Sequence, residues 1–266
     1  MAKKPEPIVR LAAQTARQIF ANSGNYMAFL TTAAHNFKYS FRDQLLIYAQ
    51  KPDATACAQT DFWNKHGRWV NKGTTGIALL VDTDKGYKLR HVFDMSDTNS
   101  RAGRTVPVWQ MRPQYEGPVV EALENSYGEF SDKADFAECL METAKIIVED
   151  NFGDYYADLC RVKEGSLLEE LDDLNTEVWF KRLLENSVAY IMLTRCGIDP
   201  QEYFSGEDFA RVFDFNTLET LSILGGAVSD ISEMPLREIA STVLPLYWEE
   251  EKQNRTFAGN PDRQYN

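Results

Sequence analysis

Ile8, Leu11, Ala12, Thr15 and Ile19 recur at helical spacing at the start of the chain and predict a helix over 8–19. After the SGN break a second helix is expected from Tyr26 to about Ala34. Ser40 stands as an N-cap before FRDQLLIYAQ, a helix that should end before Pro52. Thr60 is placed to cap a short helix, DFWNKH, with Gly67 as its left-handed terminator. The period then changes. RWV, the turn NKGTTG and IALLV read as a hairpin-like unit, and DTDKG is the next turn. YKLRHVFD alternates, with Tyr87, Leu89, His91 and Phe93 on one side and Lys88, Arg90, Val92 and Asp94 on the other.

Beyond the irregular MSDTNSRAGRTVPVWQMRP the pattern is almost wholly helical. Ser131 is expected to begin a helix through FAECLMETAKIIVED. Ser166 and Glu169 form a capping box before one long helix, LLEELDDLNTEVWFKRLLENSVAYIMLTRC, closed by Gly197. Asn216 is placed to cap TLETLSILGGAVSD and Ser232 to cap the helix of LREIASTV, with Pro245 kinking or ending it. Leu171, Leu174, Val178, Leu183, Leu221, Leu224 and Ile239 are the expected core of this part. The fold class that follows is α+β: N-terminal helices and a small antiparallel sheet, then a mostly α-helical part. The expected divisions are a basic α+β domain over 1–112, an acidic helical domain over 113–253 and a polar tail or linker over 254–266.

Charge sharpens this division. Residues 1–112 carry +8 and residues 113–266 carry −20, which together give the formal −12 of the whole chain. Two readings stand: the halves neutralise each other across an internal interface, or the basic half attracts a polyanion while the acidic half stays off it. The four cysteines are far apart and form no C-x-x-C pair, which argues against a zinc ribbon or a disulfide framework. MAKKPEP lacks the apolar centre of a secretory signal, and no run approaches the ~18 apolar residues of a membrane span. A cytoplasmic protein without membrane contact is expected.

The chain has no H-E-x-x-H, no G-x-x-x-x-G-K-[ST], no G-x-S-x-G and no G-x-G-x-x-G. Neither catalysis, a metal nor a cofactor is expected. The carboxylate pairs Glu169–Glu170 and Asp172–Asp173 fit a solvated helix face better than a catalytic site. The mixture of rings and cations from Tyr39 to Arg90 is different. Single strands are held by phosphate contacts to Lys and Arg and by bases stacked on aromatic faces. The candidates are Tyr39, Arg42, Trp63, Lys65, Arg68, Trp69, Lys72, Lys88 and Arg90. For Trp63 and Trp69, core packing competes with stacking. For Lys65, Arg68 and Lys72, simple solvation competes with phosphate contact.

The stretch YSFRDQLLIYAQKPDATACAQTDFWNKHGRWVNKGTTGIALL resembles the N-terminal domain of ArdC-like antirestriction proteins. It is most similar to the version near the N-terminus of the very large polyvalent proteins of conjugative elements in Gram-positive bacteria. The pattern Y-S-x-x-N-x-L-L-I, then P-x-A-T, then W-x-x-x-G-R-x-V-x-K-G-x-x-G-I is met at Tyr39, Ser40, Leu45, Leu46, Ile47, Pro52, Ala54, Thr55, Trp63, Gly67, Arg68, Val70, Lys72, Gly73, Gly76 and Ile77. The resemblance covers residues 36–98 and implies single-stranded DNA binding that protects or processes an incoming element. Asp43 replaces the asparagine of the first motif, and the metalloprotease domain that follows in full ArdC has no counterpart here.

Two functions from different classes follow. In the first, the chain is a non-catalytic antirestriction or antidefence-type protein whose basic part binds single-stranded DNA with little sequence preference. In the second, the acidic helical part docks on a host nuclease, or a nuclease–nucleic acid complex, of the restriction or CRISPR kind and blocks its DNA channel.

Overall fold

Capping side chains set where the second and third helices begin. The computed structural model describes residues 5–100, 108–133 and 135–258. Helix α1, Glu6–Ile19, ends just before Asn22, whose side chain accepts the Asn25 N–H and starts α2, Ser23–His35. Ser40 accepts the Asp43 N–H and starts α3, Phe41–Gln50, as its position before the apolar run predicts. After β1, Cys57–Ala58, comes the short α4, Thr60–Lys65. Gly67, at φ 70°, turns the chain out of α4 in the left-handed conformation that only glycine adopts cheaply.

The strands pair differently from the expected hairpin. Strand β2, Trp69–Val70, runs antiparallel to β5, Thr98–Asn99, and makes no ladder with β3, Ile77–Thr83. The hairpin is β3 with β4, Gly86–Asp94, in register from Ile77 opposite Val92 to Thr83 opposite Gly86. Strand β1 adds to the far edge of β4. NKGTTG is thus a connection between two sheets. A short 3₁₀ turn, Met95–Asp97, joins β4 to β5.

The rest of the described chain is helical: α5, Pro113–Tyr127; α6, Phe136–Val162; α7, Asp173–Arg195; and α8, Leu218–Ala258. Helices α6, α7 and α8 pack on one another, and α5 packs on α6 and α8. Helix α5 is not evident in the sequence pattern because Gly117 and Pro118 interrupt it. Asp135, not Ser131, caps α6; Ser131 bonds the Glu142 carboxylate. The predicted long helix is divided. Ser166 and Glu169 cap only a 3₁₀ turn, Leu167–Glu170, and Asp172 caps α7 afresh. Leu174 and Val178 therefore fall on the outer face of α7, 72% and 51% exposed, and are not core. Leu183, Leu221, Leu224 and Ile239 are buried as expected, and Leu171 is half-buried. Asn216 accepts the Leu167 N–H instead of capping its own helix. Ser232 starts nothing: α8 runs through it and through Pro235 and Pro245. Residues 254–258 continue α8, and 259–266 lie outside the described residues.

One core crosses residue 112. Tyr26, Phe29 and Leu30 of α2 belong to the same buried cluster as Leu140, Phe180, Val188, Leu224 and Ile239. Tyr26 Oη lies 2.9 Å from Ser187 Oγ of α7, inside it. Helix α3 joins this core to the sheet: Phe41 and Leu45 face the helices, while Leu46 and Ile47 pack with Ile77, Leu79, Leu80 and Val92 of the hairpin. Gly225 of α8 makes room for this junction, since a Cβ there would stand 2.2 Å from the Phe41 ring. The sheet is thus joined to the helical body through α3. No helix among the described residues is long and apolar enough to cross a membrane.

Candidate nucleic-acid interface

The three predicted arginines already have partners. Arg42 sits on α3, donates to Asp82 at 2.7 Å and lies 5.3 Å from the Tyr87 ring centroid. Its hydrogen bond to Asp82 raises its pKa further. Arg90, on β4, donates to Asp43 at 2.6 Å and lies 5.9 Å from the Tyr39 ring centroid. Tyr39 is half-buried and donates its hydroxyl to Cys57 O. Arg68 is fixed by neutral acceptors: Nε donates to Thr98 Oγ1 at 2.7 Å, and Nη2 to Thr98 O and Met95 O. It clasps the β2–β5 pair together and keeps its net charge.

The two tryptophans separate cleanly. Trp63 is fully buried, and its Nε1–H is shared between Ala58 O at 3.1 Å and Phe93 O at 3.0 Å. The indole ties α4 to β1 and β4 and offers no face to a base. Trp69, on β2, is 49% exposed. Lys65, Lys72 and Lys88 are exposed and make no ion pair or hydrogen bond among the described residues. The residues left accessible are therefore Lys65, Trp69, Lys72 and Lys88.

One further ring is not evident in the sequence. Phe62 is 41% exposed beside the buried Trp63. His66 stacks on it with centroids 4.2 Å apart, and Trp63 meets it edge-on. Phe62, Lys65 and His66 share one face of α4 by their spacing. Adjacent positions on a helix diverge by about 100°, so one of the FW pair had to face out. Nothing in the sequence says which.

Two buried carboxylates set the local electrostatics. Burial pushes the Asp43 carboxyl above the usual range, and the hydrogen bond and charge of Arg90 oppose this without cancelling it. Its Oδ1 is buried without a hydrogen-bond partner among the described residues. Asp43 also offsets the charge of Arg90. Changing Asp43 to Asn should therefore steepen the salt dependence of single-strand binding by up to about 0.7 in log–log slope, if Arg90 reaches a phosphate. An unchanged slope would remove Arg90 from the interface.

Asp94 behaves oppositely. Burial works against its charge, but hydrogen bonds from Ala56 N, Ser96 Oγ, Ser96 N and Thr55 N outweigh this and hold its pKa below the usual range. A depressed folded pKa lends stability that is complete above the unfolded value and lost as pH falls through the folded one. Wild-type protein should melt higher than Asp94→Asn at pH 7. The gap should close in acid, along with amide-exchange protection at Thr55 and Ala56.

Among the described residues no group of three or more His, Cys, Asp or Glu is placed to hold a metal ion. A comparison with protein-family models gives no match, and neither the curated proteins nor the solved structures contain one.

Proposed function

We propose that the protein is a non-catalytic, antirestriction-type binder of single-stranded DNA with little sequence preference, similar in role to ArdC-like N-terminal domains. The observation that carries this reading is the set of accessible groups on the α4–β2–hairpin region. Lys65, Lys72 and Lys88 are exposed and unpaired among the described residues, and Trp69 is half-exposed. Such a set supplies mobile phosphate contacts and a stacking ring without base-edge readout. The fixed charge of Arg68 adds to the local field. The test is titration of labelled single strands with the intact chain, because the larger core crosses residue 112 and takes in α2 and part of α3 from the basic part.

A second reading is favoured by one observation. Leu174 and Val178 stand exposed on α7 beside Asp173 and Glu177, an apolar patch rimmed by carboxylates. Docking of this acidic face on a basic host nuclease predicts that the intact chain inhibits cleavage, with inhibition weakening steeply as salt rises. Salt-insensitive inhibition, or none, counts against it.

A further inference from the structure

A cleft of about 290 Å³ opens between α2, the β1–α4 segment and the end of α7. Its lining combines Arg195, Lys38 and His35 with the aromatic side chains of Phe62 and Trp109 and the amide of Asn36. The strand-binding reading uses none of these six.

Arg195 is the unusual member. It is only 8% exposed and has no carboxylate partner among the described residues. Its guanidinium lies 3.4 Å from the Trp109 ring centroid, and Nη2 donates to Trp109 O at 3.0 Å. Residues 101–107, which lead into Val108 and Trp109, contain two arginines and no carboxylate. Buried charges are ordinarily paired. Its partners among the described residues are an indole face and one carbonyl, with no counter-charge, and burial lowers its pKa to about 10. Its field reaches its neighbours. Burial first, and then the charge of Arg195, lower the pKa of His35; burial, Arg237 and Arg195 lower that of Lys38. The carboxylates that oppose this are already engaged: Asp94 by Thr55, Ala56 and Ser96, and Glu233 by Arg237.

Three bases thus converge on one cleft, and an anion would relieve all three. The remaining wall specifies more than an anion. Phe62 is held at the cleft with His66 stacked on it, and the buried Asn36 Oδ1 has no hydrogen-bond partner among the described residues. An aromatic wall with a free amide acceptor suits a planar ring bearing N–H groups. The volume sits at the lower end of small-molecule sites. We propose that this cleft binds a nucleoside 5′-monophosphate group, its phosphate on Arg195 and Lys38 and its base against Phe62 within reach of Asn36. The group comes either from a free nucleotide or from the 5′ end of a strand.

The test uses the intact chain and calorimetric titration with deoxyadenosine monophosphate, deoxyadenosine and inorganic phosphate. Deoxyadenosine monophosphate should bind saturably, at least about tenfold tighter than either fragment. Lys38→Gln and Arg195→Met should each weaken it about tenfold, the scale of one charged hydrogen bond. Phe62→Ser should weaken the nucleotide and leave phosphate unchanged. Lys38 and Phe62 are exposed, so their variants carry the test even if Arg195→Met does not fold. No saturable binding up to about 5 mM, a weak affinity on any scale, overturns the proposal. So does an affinity that neither Lys38→Gln nor Phe62→Ser changes.

A 5′-phosphorylated oligonucleotide that binds tighter than its 5′-hydroxyl twin, with the difference lost in Lys38→Gln, assigns the site to strand ends. Equal binding of the two assigns it to free nucleotide. The 5′-hydroxyl strand separates this proposal from the strand-binding reading: a chain that binds that strand but not the monophosphate overturns only the cleft, and the reverse result overturns only the strand reading.

Discussion

Replacing Trp63 by alanine should lower the melting temperature by on the order of 10 °C. Truncating a buried tryptophan costs about 3–5 kcal/mol, and each kcal/mol shifts a domain of this size by about 2–4 °C. The ring is wholly enclosed, and its Nε1–H serves two carbonyls, Ala58 O and Phe93 O. Losing it empties the junction of α4, β1 and β4 and strands both acceptors. Trp63→Phe divides the two contributions. It keeps most of the volume and loses the donor, so it should cost about 1–3 kcal/mol, the desolvation penalty of unpaired buried acceptors. Folded Trp63→Phe should keep the wild-type salt dependence of single-strand binding, because the indole touches no ligand. Thermal melts by circular dichroism give both numbers. A Trp63→Ala protein that melts like wild type yet loses DNA binding would mean that the ring is a stacking face after all.

The second large effect is on binding. Neutralising Lys65, Lys72 and Lys88 together as glutamines should flatten the log–log salt dependence of single-strand affinity by about 2, at ~0.7 for each phosphate no longer neutralised. Extrapolated from molar salt, that amounts to roughly 100-fold weaker binding at 0.1 M. The fold should survive, since all three side chains are exposed and none is engaged in the described structure. Arg68→Gln is the contrast. It removes the clasp on Thr98 and Met95, so its main effect should be on stability. Unchanged affinity in the folded triple variant would remove this surface from the interface.

The local signals that the sequence shows plainly are those a few residues long. Ser40 caps α3 because its side chain needs only the Asp43 N–H, and Gly67 ends α4 because its own φ does the work. The α+β order follows from the change of period after Gly67. What stayed hidden was long-range. Whether β2 pairs with β3 or with β5 depends on where Arg68 finds acceptors, thirty residues away. Leu174 and Val178 fit a helical stripe, but the re-start at Asp172 turns that stripe outward. Arg42 and Arg90 look like free cations until folding brings Asp82 and Asp43 beside them. Arg195 reads as an ordinary helix-ending cation, and only the packing of Trp109 reveals that it is buried without a carboxylate partner among the described residues.

Single-strand binding itself is tested most directly by titrating the intact chain into two labelled strands of unrelated sequence at several salt concentrations. The account predicts saturable binding of both, with similar affinities that fall linearly in log–log form as salt rises. Failure to bind either strand at low salt, or strong preference for one sequence with a flat salt response, would contradict it.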